Sequence, residues 1–315
     1  MRLPGNIAII SSGILLGAPQ LLASSSTEIL GWSNWTWERS IIIPLLLFGL
    51  WFCLGIFKMW LGKARAAVRP LQVLCFALGW LSLLIALDSP VHEIGEQLFW
   101  VHMTQHEIFM VVAAPLLVLA HPFGPMLWAL PERWRPTVAS AARQKALKLA
   151  WGAISAPMVA WTLHGLALWC WHIPALFDAT LGSDSIHAAQ HISFLGTALL
   201  FWWALLQKHG GKLGYGGSII YVFTTAIHTS LLGVLLTFST HPWYAPYVQT
   251  APAWHMTALE DQQIGGLVMW IPAGTILLIV TLALVVQWIR SSDERWQYTR
   301  TAALLRASAG VTDEN

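Results

Sequence analysis

Long apolar runs separated by short polar segments dominate the pattern along this chain. Seven runs reach the ~20 residues that a helix needs to cross a bilayer. They lie at about 41–61, 70–88, 97–120, 150–172, 187–207, 218–238 and 264–289. A membrane accepts such segments as helices that satisfy their own backbone hydrogen bonds. The pattern therefore predicts an all-α fold, a polytopic transmembrane helix bundle, with one seven-helix domain over residues 40–290.

The two ends of the chain depart from this pattern. A weaker apolar run at residues 7–23 follows Arg2 and is succeeded by three serines. Residues 1–26 are therefore either a signal peptide or an extra N-terminal helix, and both alternatives stay open. Residues 291–315 are polar and are expected to form a frayed cytoplasmic tail.

Composition also indicates a membrane protein. The chain is 56% hydrophobic and 10% charged, whereas soluble domains carry about 25% charged residues. The net charge of +2 gives no reason to expect a nucleic-acid partner. The lipid bilayer is the partner that the composition predicts.

The distribution of basic residues predicts the topology. If the segment before the first span is outside, sixteen of the 17 Lys and Arg residues lie inside and only Arg39 lies outside. Such a bias places the N-terminus of the seven-span core outside and the C-terminus in the cytoplasm. The basic, amphipathic segment 131–148 is then expected on the inner membrane surface.

Two predicted spans carry histidine pairs four residues apart, His102/His106 and His187/His191. Because four residues make about one helical turn, each pair lies on one face of its helix. Both spans run inward, so both pairs are expected in the outer half of the membrane. Facing pairs would supply up to four nitrogen ligands, and imidazole suits copper, zinc and haem iron. The alternative is a set of helix-to-helix hydrogen bonds, which average only ~0.6 kcal/mol in membranes.

Other polar residues and methionines flank these pairs. His172 ends the fourth span, with His164 two turns deeper on the same face. Gln105 and Glu107 could orient an imidazole, and Met103 could supply the thioether that favours Cu(I). However, Met103 directly follows a paired histidine and so points about 100° away from it, towards lipid or a neighbouring helix.

The segment from Asp261 to Gly266 opens the seventh span. In one interpretation Asp261 caps that helix and the glycines allow close helix contact. In the other, Asp261 and Gln262 line the outer mouth of the histidine site, with Met269 nearby. Three further histidines fall on outer loops and are given no role: His92, His241 and His255.

Several segments together resemble one known family. They are HMTQHEIFM, AAPLLVLAHP, LWCWHIPALFDATL, IHAAQHISFLGTALLFWW, WYAPY and LEDQQIGGLVMWIPAG. Their order and spacing over roughly residues 40–290 are similar to the seven-span caa3-type cytochrome c oxidase assembly factor family, CtaG. The matching positions are His102, Met103, Gln105, His106, Trp171, His172, Pro174, His187, His191, Asp261, Gln262, Gly266, Met269 and Trp270. Glu107 and His121 depart from the family pattern, in which an apolar residue and a glycine are expected.

The resemblance implies a bacterial cytoplasmic-membrane protein that helps to mature a haem-copper oxidase, with oxidase subunits as partners. Copper is the metal that it implies, and the protein would be a carrier or scaffold rather than an enzyme. The implied ligands lie towards the outer leaflet, where the copper centres of such oxidases lie. These ligands are His102, His106, His187 and His191, with His172 as a fifth.

Three alternatives remain open from the residues alone. Several histidines with Asp88, Asp261 or Glu107 could hold Zn²⁺ with an open water position, as in an intramembrane zinc hydrolase. Two histidines on facing helices could ligate haem iron axially, as in a haem carrier. A metal-free scaffold could instead bind oxidase subunits through a surface rich in tryptophan, of which the chain has 20.

Overall fold

Every regular element in the described part of the protein is helical. The computed structural model describes residues 35, 37–62, 69–206 and 213–308. In chain order the elements are α1 (Arg39–Leu61), α2 (Pro70–Asp88), α3 (Pro90–Gln97), α4 (Phe99–Glu107), a π-helical turn (Ile108–Ala113), α5 (Ala114–Ala120), α6 (Phe123–Ala129), α7 (Arg135–Ala142), α8 (Lys145–Ile154), α9 (Pro157–Trp171), α10 (Pro174–Leu181), α11 (Asp184–Leu206), α12 (Gly214–Thr237), α13 (Ala245–Thr250), a 3-10 turn (Ala251–Trp254) and α14 (Ala258–Ser308). The predicted all-α fold is confirmed. The two alternatives for residues 1–26 lie outside the described residues.

Six helical segments of the described chain are long and apolar enough to cross a membrane, and a bent pair of helices makes seven if it forms one span. Five are the single helices α1, α2, α11, α12 and α14, and the sixth is the composite helix Phe99–Ala120. The seventh is the pair α8 and α9, which is bent by 56°. The bend has a local cause, because Pro157 forces the residue before it out of the helical conformation. The polytopic bundle predicted from hydropathy is thereby confirmed.

Two segments outside the apolar runs are also helical. Helix α14 continues to Ser308. The expectation of a frayed tail after residue 290 is therefore wrong for residues 291–308. The segment 291–308 contains neither Gly nor Pro and carries several Ala, Leu and Arg residues, which favour helix. The basic segment 131–148 forms α7 and the start of α8, and neither helix has a buried side chain. Its side of the membrane stays a prediction.

The composite span Phe99–Ala120 contains a π-helical turn at Ile108–Ala113. Pro115 explains it, because proline has no N–H to donate and its ring crowds the preceding turn. The carbonyl of Met110 lies five residues before this proline and would be its π-helical acceptor. It accepts instead the indole N–H of Trp202 on α11, at 2.7 Å. The irregular turn thereby binds the composite span to α11.

Helices α12 and α14 are in close contact through glycines. A Cβ atom added to Gly266 would lie 2.5 Å from Oγ1 of Thr237 and 2.7 Å from the carbonyl oxygen of Gly233. One added to Gly265 would lie 2.3 Å from the ring of Phe99. No larger side chain fits at either position without movement of the neighbouring helix. The prediction that these glycines allow close helix contact is confirmed.

Three short connecting helices, α3, α10 and α13, meet at one end of the bundle and are called the cap here. Hydrogen bonds join them: the hydroxyl of Tyr247 donates to the carbonyl of Gly95 at 2.9 Å, and that of Thr250 to the carbonyl of Gln97 at 2.7 Å. The hydroxyl of Tyr244 donates to the carbonyl of His172 at 3.1 Å. The cap therefore covers the end of the bundle at which α4 and α11 begin.

Candidate metal centre

The two histidine pairs converge between α4 and α11, directly beneath the cap. Within the pairs, the ring centroids are 4.4 Å apart for His102 and His106, and 4.3 Å apart for His187 and His191. Across the helices, His102 lies 5.1 Å from His187, and His106 lies 5.4 Å from His191. The structure thus brings together four of the five ligands that the sequence predicts.

Ligand-atom distances divide these histidines, with His92, into two overlapping groups of three. The inner triad is His102, His106 and His191; the outer triad is His92, His187 and His191. In each triad the ligand atoms lie within 4.8 Å of one another. Nitrogens bound at ~2.0–2.1 Å to a common ion are about 3.3–3.6 Å apart, so a triad has to contract by roughly 1.5 Å at most.

Several ring nitrogens in these triads have no hydrogen-bond partner. They are both nitrogens of His106 and the Nε2 atoms of His187 and His191, all of them buried. A buried polar atom without a partner costs about 1–3 kcal/mol. Helix-to-helix hydrogen bonding therefore does not account for His106, which makes none through its ring in the described structure. A cation that accepts nitrogen lone pairs would satisfy one nitrogen of each of these histidines.

His102 is held in place by two polar side chains. Its Nδ1 lies 3.3 Å from the hydroxyl of Tyr247 on α13, and its Nε2 lies 3.3 Å from the side-chain oxygen of Gln190 on α11. Burial, and the nearby carboxylate of Asp261, raise the pKa of the Tyr247 hydroxyl well above its usual value, so this hydroxyl stays protonated. Because that hydroxyl donates to Gly95, its oxygen is left to accept Nδ1–H of His102. The side-chain oxygen of Gln190 accepts only from a protonated Nε2, so a metal ion that binds Nε2 would replace this contact, while Nδ1–H keeps Tyr247 as its acceptor.

Asp261 organises the helix that carries the first histidine pair. Its two carboxylate oxygens accept the backbone N–H groups of Phe99 at 2.8 Å and Trp100 at 2.9 Å, at the start of α4. The prediction that Asp261 caps its own helix is therefore wrong. That function belongs to Thr257 and Glu260, whose side chains and backbone N–H groups form a reciprocal capping box.

Gln105 does not orient a paired histidine, as the sequence led us to expect. Its amide nitrogen lies 2.7 Å from the carbonyl of Ala86 and 2.9 Å from Nδ1 of His92. His92 is the site residue that sequence reasoning missed. Gly95 is the local signal for its position, because a Cβ there would lie 3.2 Å from the Cα of His102. The absence of that Cβ lets α3 fold back against α4 and bring His92 to the site.

The remaining predicted site residues lie outside the triads. His172 donates through Nδ1 to the carbonyl of Leu168 at 2.7 Å and packs against Phe177 and Phe194. Met103 is fully buried in the core, so of the two surroundings expected for it, lipid or a neighbouring helix, the structure shows the second.

Glu107, His164 and Met269 line a separate, small cavity of about 30 Å³ between the spans. Gln262 accepts the backbone N–H of Trp243 at 2.6 Å and so anchors the segment that follows α12. Neither arrangement places these four residues in a triad. The predicted outer mouth formed by Asp261 and Gln262 is therefore not what the structure shows, since both side chains bond to backbone groups elsewhere.

These features define a class of protein: a polytopic membrane protein with a buried polyhistidine centre under one end of its bundle. The family profile described as cytochrome c oxidase caa3 assembly factor, Caa3_CtaG, matches residues 50–291. The chain belongs to this family. All four paired histidines and His92 lie within the matched region.

Curated relatives of the chain come from mycobacteria. Two uncharacterised proteins, one of Mycobacterium bovis and one of Mycobacterium tuberculosis, are each 27% identical over 70% of this chain and 34% of their own length. An uncharacterised protein of Mycobacterium leprae is 23% identical over 81% of this chain and 40% of its own length. The chain thus spans about a third of the length of the relatives it matches first. No solved structure matches it.

Proposed function

We propose that this protein assists the assembly of a haem-copper oxidase by carrying Cu(I) on its histidine triads. The observation that supports the proposal best is His106, which is 1% exposed and has no partner for either ring nitrogen. Membership of the assembly-factor family is the reason for naming an oxidase, and the histidine triads are the groups that would bind its metal. The protein acts as a carrier and not as an enzyme.

The charge of the inner triad favours a monovalent ion. Its three ligands are neutral imidazoles, and no carboxylate belongs to it. The cost of placing an ion in a low-dielectric interior grows with the square of its charge, so a divalent ion costs about four times as much as Cu(I). Imidazole nitrogens are suitable ligands for copper. Three neutral nitrogens in a dry site therefore fit Cu(I) better than Zn²⁺.

Two of the three acidic residues that a zinc hydrolase would need bond to backbone groups, and the third, Glu107, lies apart from the triads. Both oxygens of Asp261 accept backbone N–H groups of α4, and Asp88 accepts the N–H of Glu38 at 3.0 Å. Glu107 lines the separate small cavity with His164. None of the three belongs to either triad, so none supports the metal or acts as its base. The carrier is the better interpretation of the site.

A haem carrier also fits poorly. The histidine rings of α4 and α11 are already in mutual contact, and Phe109 and Phe194 pack against them at ring-centroid distances of 5.0 Å from His191 and 4.7 Å from His106. A porphyrin has to lie between its two axial imidazoles. The described site has aromatic side chains where such a macrocycle would have to enter.

The charge pattern of the sequence supports an orientation for the carrier. The positive-inside bias puts the cap and the triads on the outer side of a bacterial cytoplasmic membrane. Oxidase subunits that receive copper on that side are the partners we propose. The C-terminal end of α14 then lies in the cytoplasm.

Metal analysis of the purified protein tests this function. The protein is reduced, loaded with Cu(I), desalted and measured by mass spectrometry for copper and zinc, with an absorption spectrum for haem. We expect about one copper per chain, almost none in His106→Ala, and an unchanged content in the control His241→Ala, whose histidine is exposed in the segment between α12 and α13. Preferential zinc retention, a haem Soret band or a metal-free wild type would overturn the proposal.

A further inference from the structure

The outer triad faces a cavity that the inner triad barely touches. This cavity has a volume of about 770 Å³ and lies between α1, α3 and α11 at the capped end. His92, His187 and His191 line it, while His102 and His106 do not. His191 therefore belongs to both triads and is also the point at which the inner triad meets the cavity.

Exposure falls in steps from the cavity to the inner triad. His92 is half-buried, His187 and His191 are 5% and 7% exposed, and His102 and His106 are 0% and 1% exposed. An ion that enters from the cavity reaches the outer triad first. The order of burial thus predicts the order in which an entering ion meets the five histidines.

Acidic side chains surround the outer part of the cavity. Glu38, Glu96 and Asp184 line it and are all exposed, and Oε1 of Glu96 lies 3.9 Å from Nδ1 of His187. Among the described residues that line the cavity, none is lysine or arginine. A concave site lined by one sign of charge raises the local concentration of the opposite ion and accelerates its capture. These three carboxylates, called the acidic mouth here, therefore favour the entry of a cation into the cavity.

Two histidines that line the cavity also carry nitrogens that no hydrogen bond uses. The Nε2 atoms of His187 and His191 have no hydrogen-bond partner, although both side chains are more than nine-tenths buried. These atoms are independent evidence for a ligand, apart from the acidic mouth. His92, in contrast, is fixed through Nδ1 by the amide of Gln105 at 2.9 Å. Because Nδ1 accepts this amide N–H, the proton of the neutral ring lies on Nε2, so an ion at the outer triad would take the lone pair of Nδ1 in place of Gln105.

We propose that the outer triad is a loading site for Cu(I) and that His191 transfers the ion from it to the inner triad. This inference rests on the proposed copper-carrying function and adds a route to it. The ion keeps its bond to His191 while the nitrogens of His92 and His187 are replaced by those of His102 and His106. The step is an exchange of neutral ligands, with no change of oxidation state and no proton released. Because His191 is shared, one ion occupies the two triads at a time.

Loading kinetics distinguish a route from a single site. Purified protein in detergent is mixed with a coloured Cu(I)–chelator complex, and the loss of colour gives both the loading rate and the final equilibrium. We expect His92→Ala to slow loading at least about tenfold but to change the equilibrium affinity less than about threefold. We expect His106→Ala to load at the wild-type rate and to lower the affinity about 10–100-fold. His191→Ala loses both properties, and His241→Ala keeps both.

The acidic mouth provides a second test that leaves every histidine in place. The double variant Glu96→Gln, Asp184→Asn preserves side-chain size at two exposed positions, so it also serves if His92→Ala fails to fold. It should slow loading about tenfold at low ionic strength. The difference should largely disappear at about 1 M salt, where the screening length falls to about 3 Å. A difference that salt does not reduce would contradict the steering role of these carboxylates.

The outcomes separate this inference from the function on which it rests. A wild-type protein that takes no Cu(I) from the chelator contradicts the proposed function itself. Normal Cu(I) affinity with wild-type loading in His92→Ala overturns only the loading site. An equal loss of affinity in His92→Ala and His106→Ala overturns the transfer, because all the histidines then hold one ion together. Binding of two copper ions per chain would contradict the shared role of His191.

Discussion

The hydroxyl of Tyr247 lies 3.3 Å from Nδ1 of His102, although the two residues are 145 positions apart in the chain. The same hydroxyl donates to the carbonyl of Gly95, so it has only its oxygen to offer to the imidazole. When Nε2 of His102 binds a metal ion, Nδ1 carries the proton, and this residue of the cap accepts its N–H. The cap is therefore part of the candidate metal centre and not only a cover over it.

Tyr247→Phe tests this contact by removing one oxygen atom. The buried ring stays in place, while His102 loses the acceptor of its Nδ1–H in the metal-bound state. We expect the Cu(I) affinity to fall about tenfold, in the range found when partners of metal-bound histidines are removed. Competition with a Cu(I) chelator in detergent measures the affinity.

Tyr244→Phe is the matched control for this variant. Tyr244 directly precedes α13 of the cap and is also buried, but its hydroxyl donates to the backbone carbonyl of His172, outside both triads. It should leave the Cu(I) affinity unchanged, while both variants lose a little thermal stability. An equal affinity loss in the two variants would show that the cap acts only through its packing.

Asp261→Ala tests whether the start of α4 depends on a distant carboxylate. The variant leaves the N–H groups of Phe99, which is buried, and Trp100, which is partly buried, without acceptors. Each lost partner costs on the order of 1–3 kcal/mol, so we expect a clear fall in the apparent melting temperature of the purified protein. Asp261→Asn keeps one acceptor oxygen and should be intermediate.

Glu260→Ala provides the comparison for Asp261. Glu260 is the next residue in the chain, and its carboxylate accepts from Thr257 in the exposed capping box of α14. The melting temperature should change much less than in Asp261→Ala, because water replaces the lost contact. If the two variants are equally destabilised, the carboxylate of Asp261 has no special role at the start of α4.

Hydropathy and helical periodicity predict the bundle well, because both depend only on residues that are close together in the chain. A bilayer requires long apolar helices, so the spans are visible in the composition of each segment. Residues four apart share a helix face, so His102 and His106, or His187 and His191, are paired by spacing alone. The contact between the two faces depends on tertiary structure. It is nevertheless predictable, because unpaired imidazoles are costly in a membrane.

The features that sequence reasoning missed depend on contacts between distant segments. Asp261 caps α4 across 162 residues to Phe99, and no local pattern records that distance. His92 lies on a short helix whose position depends on the missing Cβ of Gly95, so its loop-like surroundings concealed it. The π-helical turn after Glu107 depends on Pro115 together with an indole donor from another helix, Trp202. Local rules do not extend to such pairs.

His121→Gly tests a local conflict between sequence and backbone. His121 follows α5 with φ of 48° and ψ of 54°, the left-handed conformation in which a side chain is strained. Glycine is the residue that the family resemblance leads us to expect there, and it adopts this conformation without strain. Relief of about 1–2 kcal/mol of strain exceeds the entropy that glycine adds to the unfolded chain, so the melting temperature should rise.

His241→Gly is the control for His121→Gly. His241 is exposed, and its φ is not positive, so glycine there only adds freedom to the unfolded chain. Its melting temperature should stay the same or fall slightly. If His121→Gly behaves in the same way, the left-handed position does not limit the stability of the protein.

Oxidase maturation in cells decides whether the inner triad carries copper or whether the protein is only a scaffold. The double variant His102→Ala, His106→Ala should still insert, because alanine favours helix and enters lipid more easily than histidine. We expect it to fail to restore oxidase activity in a strain that lacks the protein, while His241→Ala restores it fully. Single variants, which keep two ligands of the triad, should be partly rescued by added copper, since a higher ion concentration compensates for a weaker site by mass action. Rescue by copper is the decisive result, because a lost contact with an oxidase subunit does not respond to the concentration of an ion. Full activity in the double variant would remove these histidines from the function, and inactivity that copper never relieves would favour the scaffold.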